Sequence, residues 1–152
     1  MGTFKVASTP DGHEFVAKGA SLTDLFETAA AAMFSLVYDR SRVGFERELN
    51  VVGEAPDLRE LLTAWLGELW SLYSDQGFVP GDFIVVEVGD TGAKRFGPLL
   101  MTVRGAVRGR THGDWFEPFK AGLQPVLLEV VQLRAKRRSF EATVRYKTAN
   151  AS

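Results

Sequence analysis

Two stretches of the chain repeat apolar residues at steps of three and four, the period that lines one face of an α-helix. In the first, Leu22, Leu25, Phe26, Ala29, Ala30, Met33, Phe34 and Val37 fall on that face. Ser21 stands just ahead, where a hydroxyl accepts from free backbone N–H groups, and Asp24 follows three positions on to answer it. The run Ala29-Ala30-Ala31-Ala32 keeps bulk low, which lets this helix lie close to a sheet. In the second, Leu58, Leu61, Leu62, Trp65, Leu66, Leu69 and Leu72 or Tyr73 make the stripe. Asp57 after Pro56 is its cap, Glu60 lies three residues later, and Gly77 is the stop. Trp65 and Trp70 sit in or beside the stripe and are expected in the core.

Elsewhere the spacing reads as strands. Glu14–Lys18 precedes the first helix, and Phe45–Val52 turns Phe45, Leu49 and Val51 inward with Arg47 breaking the pattern. Phe83–Val88 is short and β-branched between Gly81 and Gly89, which predicts a buried strand. Leu99, Met101, Val103, Gly105 and Val107 alternate with Thr102, Arg104 and Arg108, as in a half-exposed strand. Val126–Leu133 and Phe140–Tyr146 flank the turn-like Arg134–Ser139, giving a C-terminal hairpin. The expected architecture is α+β, two helices packed on a largely antiparallel or mixed sheet, in a single domain over 1–149. Gly109–Pro125 has Gly, Pro and aromatics without periodicity and is expected to be a long loop, a class that often carries function.

Composition removes several function classes. With 152 residues and 45% hydrophobic content, the chain can bury a sizeable core. No apolar run approaches the roughly 18 residues that span a membrane, and the start lacks a signal-peptide layout. The absence of Cys excludes disulfides, thiolate metal sites and Cys nucleophiles, so a cytoplasmic location is expected. The net charge of −1 hides an asymmetry. Residues 1–93 hold 6 Lys/Arg against 15 Asp/Glu, a net of −9, whereas residues 94–152 hold 12 against 4, a net of +8. Such a split suits docking of a charged partner, or else neutralises itself across one fold.

Candidate chemistry is sparse. There is no phosphate-cradling Gly-rich loop, no HExxH and no nucleophile elbow. His112, Asp114 and Glu117 bring an imidazole and two carboxylates within six positions, types that ligate divalent metals. The alternative is a solvated loop. An enzyme built on these three ranks last, because no base–nucleophile–orienter set accompanies them. Asp11-Gly12-His13-Glu14 invites the same metal reading, but Pro10-Asp11-Gly12 is also a plain turn signature. Arg104, Arg108 and Arg110, and the group Arg134, Lys136, Arg137 and Arg138, are candidate phosphate or partner contacts. The alternative is an edge strand and a hairpin tip kept soluble by charge. Trp115 and Phe116 either stack on bases or anchor the loop.

A family resemblance joins these pieces. Ser21-Leu22, Leu25-Phe26, Ala29-Ala30 and Ala32-Met33-Phe34 resemble the helix that opens the archease fold. Val52-Gly53-Glu54, Asp57-Leu58, Leu61-Leu62, Trp65-Leu66 and Glu68-Leu69 are similar to the family's second helix and its lead-in. Archeases are non-catalytic accessory proteins that activate the GTP-dependent RNA ligase of tRNA splicing, and they bind a divalent metal through acidic residues. The resemblance therefore implies an RNA ligase partner and a Ca²⁺, Mg²⁺ or Mn²⁺ site with Asp11 as a ligand, while the basic C-terminal half by its own charge offers contact with RNA. The polar signature departs from the family at several points. The family's first His aligns with Ser8, its His-Glu-Pro with Phe116-Glu117-Pro118, and its later Lys-Ala segment keeps Lys120-Ala121 but loses the polar residues that follow. Where the family ends on a carboxylate, this chain has Val144-Arg145-Tyr146-Lys147, and a cation there repels a metal. The second expectation is thus an archease-fold module that binds nucleic acid or protein without metal.

Overall fold

Both capped helices form where the periodicity puts them. Helix α1 spans Leu22–Ser35; the Ser21 hydroxyl accepts from the Asp24 N–H at 3.1 Å, and the Asp24 carboxylate reaches back to the Ala20 N–H at 3.0 Å. Helix α2 spans Leu58–Ser74, and the Asp57 carboxylate accepts from the Glu60 N–H at 2.8 Å. Gly77, at a positive φ of 69°, then turns the chain into the next strand. The computed structural model describes residues 2–9, 12–36, 38, 40–90, 100–111 and 125–148.

Among the described residues seven strands accompany the helices: β1 Thr3–Thr9, β2 Gly12–Gly19, β3 Arg47–Ala55, β4 Phe78–Asp90, β5 Met101–Thr111, β6 Pro125–Lys136 and β7 Ser139–Thr148. They pair antiparallel throughout, but as two sheets where one was expected, in the orders β1-β2-β7-β6 and β3-β5-β4. Helix α1 packs on β2 and β4, and α2 packs on β3, β4 and β6, so each helix touches both sheets. The class is α+β as the sequence predicts. No helix among the described residues is long and apolar enough to cross a membrane.

Trp65 ties the layers together. Its fully buried indole N–H donates to the Phe26 carbonyl of α1 at 3.1 Å. Its ring lies against Gly105 of β5, where a Cβ would come within 2.9 Å of the indole and 2.5 Å of the Ile84 carbonyl. Burying an indole removes on the order of 200 Å² from water, which at roughly 25 cal/mol per Å² favours packing by about 5 kcal/mol before entropy is counted. Beside it, Phe34 stacks on Phe83 and Trp70 with ring centroids 5.6 and 5.8 Å apart. Tyr38 completes this aromatic group and donates its hydroxyl to the Pro80 carbonyl. Burial above all, with Tyr73 beside it, pushes the Tyr38 phenol far up, so it stays a neutral donor.

Several local expectations change. Strand β1 was not foreseen. Phe45 is not inward but 67% exposed, just before β3 begins. Phe83–Val88 is the middle of an outer strand, and a register shift between Val85 and Glu87 leaves Val86 66% exposed. The expected turn at Arg134–Ser139 narrows to Arg137 and Arg138, since Lys136 pairs with Ser139. Of the expected loop, Gly109–Thr111 closes β5 and Pro125 opens β6; residues 112–124, like Leu99, lie outside the described residues.

Candidate functional site: a basic hairpin around a sheltered carboxylate

Strand β5 is the centre of its sheet, not an edge, and its residues alternate except at Ala106, which is buried on the arginine-bearing face. Val103, Gly105 and Val107 face the core while Arg104 and Arg108 face solvent between two acidic neighbours. The Arg104 Nε and Nη2 donate to one Glu87 oxygen of β4 at 3.2 and 2.8 Å. The Arg108 Nε donates to Glu48 of β3 at 2.7 Å, and its guanidinium lies 5.4 Å from the Phe45 ring centre. Arg110 is half-buried opposite Val79 at the strand's end. Arg104 and Arg108 therefore spend their charge on their own sheet.

The other basic group is arranged differently. Across the solvent face of the four-stranded sheet, register sets Lys18 of β2, Glu141 of β7 and Arg134 of β6 in one row. Glu141 is only 11% exposed and meets Lys136 at 2.9 Å, Arg134 at 3.4 Å and Lys18 at 3.6 Å. The hydrogen bond from Lys136 lowers its pKa most; burial works the other way, and the charges of Lys136, Lys18 and Arg134 add to the lowering. The tip follows immediately, with Arg137 and Arg138 exposed and neither ion-paired among the described residues. One carboxylate thus serves the corner occupied by Lys18, Arg134, Lys136, Arg137 and Arg138. Glu141 was not singled out in the sequence. The signal for it was the two-residue turn, which once placed pairs Arg134 with Glu141 across the hairpin.

At the opposite end of this sheet register pairs Thr9 with Gly12, Gly12 with Lys147 and Pro125 with Thr148, so the strands on either side of Asp11 end near the start of β6. Asp11, His112, Asp114, Glu117 and Lys120 themselves lie outside the described residues. No group of three or more ligating side chains occurs among the described residues. Glu14, the nearest carboxylate on β2, is taken by Arg145 of β7 at 3.2 and 3.1 Å.

Known proteins share this frame. A model of the archease protein family matches residues 12–107, from β2 through most of β5, and stops short of the β6–β7 hairpin. Protein archease of Methanosarcina mazei is 28% identical over 131 residues, 86% of each chain. Protein archease of Methanopyrus kandleri is 34% identical over 104 residues, 68% of this chain and 69% of that one. The solution structure of protein 1598 of Methanobacterium thermoautotrophicum superposes with a TM-score of 0.76 at 21% identity, over 95% of this chain and 97% of that one, a likeness of fold.

Proposed function

Because this chain belongs to the archease family, we propose that it is a non-catalytic accessory protein for the GTP-dependent RNA ligase of tRNA splicing, docked through the β6–β7 hairpin. The observation that carries the docking site is the excess of positive charge at that tip, with Glu141 shared among three cations and Arg137 and Arg138 beyond it. A rigid two-residue turn presents those cations at little entropic cost, and an acidic surface on the partner would be drawn to them over about one Debye length, roughly 8 Å in physiological salt.

The docking proposed here rests on the hairpin cations and invokes no metal; the candidate ligands Asp11, His112, Asp114 and Glu117 lie outside the described residues. Calorimetric titration with Ca²⁺, Mg²⁺ or Mn²⁺ is expected to show no tight site, and a micromolar site dependent on Asp11 would restore the family's metal chemistry here. The same exposed cations favour a second reading, contact with RNA phosphates, whose affinity would fall steeply with salt. End-joining by the ligase of the same genome, measured with and without this protein, tests the first reading. The expected result is severalfold faster joining with a stoichiometric complex; unchanged joining and no complex would sink it.

A further inference from the structure

Among the described residues four strands have an outer edge, and three of them are guarded against further pairing. On β4, the Glu27 carboxylate takes the Val85 N–H at 2.8 Å, Arg40 donates to the Gly81 carbonyl at 3.0 Å and Tyr38 to Pro80. Strand β6 begins at Pro125 and carries two register shifts. Strand β3 bears Arg47, Glu48 and Glu54. Strand β1 has only Lys5, no register shift against β2, and every residue from Thr3 to Ala7 exposed.

Its inward face is unfinished. Phe4 and Val6 pair in register with Ala17 and Phe15, which are fully buried, yet they remain 37% and 43% exposed. The core face of the four-stranded sheet therefore runs out into solvent one strand early. Beyond β1 lies a groove of about 230 Å³ whose floor is α1 and whose far wall is β4. Asp24, Glu27 and Asp82 line it against one cation among the described residues, Arg40, which is tied to Ser35 and Gly81.

We infer that the free edge of β1 receives an extended segment of a partner protein carrying Lys or Arg at alternate positions. Added as a fifth strand, such a segment gains main-chain hydrogen bonds along β1. Its inward basic side chains lay their apolar stems over Phe4 and Val6 and bring their charges to the groove carboxylates. A second copy of this chain fits worse, because edge-to-edge pairing of β1 with itself sets two acidic grooves side by side. This surface lies outside the hairpin and does not depend on the partner proposed above.

The test uses an eight-residue peptide alternating Lys and Val, its Glu/Val counterpart, and amide hydrogen exchange of the whole protein. The Lys/Val peptide is expected to bind about tenfold tighter than the Glu/Val peptide or more, and to slow exchange in Thr3–Thr9. Val6→Lys, which puts a charge on the inward edge, is expected to weaken binding about tenfold. Asp82→Lys, which leaves β1 untouched, is expected to shrink the preference for the basic peptide. Equal binding of both peptides, or protection confined to other strands, overturns the inference. Protection of β1 in a dimer without peptide also overturns it, in favour of a second copy.

Discussion

On the solvent face of the three-stranded sheet Arg104 and Arg108 each meet a glutamate of their own, whereas on the four-stranded sheet Lys18, Arg134 and Lys136 share one, Glu141. Both faces look basic along their central or hairpin strands. What separates them is the register that brings acidic strands beside β5 but cationic ones beside Glu141. Exposed pairs contribute only about 0.2–1 kcal/mol each, so the difference has little bearing on stability. It bears on potential: one face is neutralised from within, and the other keeps charge for a partner.

The most drastic way to break the comparison is to loosen the core that holds both sheets. Trp65→Ala removes the indole from Gly105 and its bond to Phe26. A loss of about 3–5 kcal/mol is expected, read by denaturant unfolding, with both faces disordered together. A smaller effect comes from Glu141→Gln, which leaves three cations around a neutral amide. Its cost is expected at about 1–2 kcal/mol, between an exposed pair and a fully buried one. The carboxyl's pKa is lowered in the folded state. Its contribution is therefore full above the unfolded value of roughly 4.3, and is lost as pH falls through the folded value. Unfolding midpoints measured down the acid range should fall less for Glu141→Gln than for the native chain. A parallel fall in both would show that the cations do not hold Glu141. Smallest of all, Glu87→Gln and Glu48→Gln are each expected to cost about 0.5 kcal/mol or less. They should nonetheless raise salt-sensitive binding of polyanions at the three-stranded face, which a heparin column would register as later elution.

How much of this was legible depended on distance along the chain. The helices were readable because their caps and stripes are local: Ser21 with Asp24, and Asp57 with Glu60, sit three residues apart. Strand β1 was not, because an edge strand exposed on both faces leaves only Phe4 and Val6 as pattern. Strand β4 was cut short because Gly81 and Gly89 read as its bounds, although the strand runs on to Phe78 through Pro80, which an outer strand tolerates without its N–H and whose carbonyl Tyr38 occupies. The division into two sheets was hidden in pairings such as Leu49 with Val107, which no local signal announces. The arginines of β5 were visible on one face, but their neutralisation by partners 17 and 60 positions away was not.

The central claim is that the hairpin, not the arginine-bearing β5, meets the ligase. It is tested most directly by titrating that ligase with two charge-reversed variants, Arg137→Glu/Arg138→Glu and Arg104→Glu/Arg108→Glu, at low and physiological salt. The account predicts that the hairpin variant loses tenfold or more in affinity, while the β5 variant, its fold verified by circular dichroism, stays within about threefold. Equal losses, or a larger loss from the β5 variant, would contradict it.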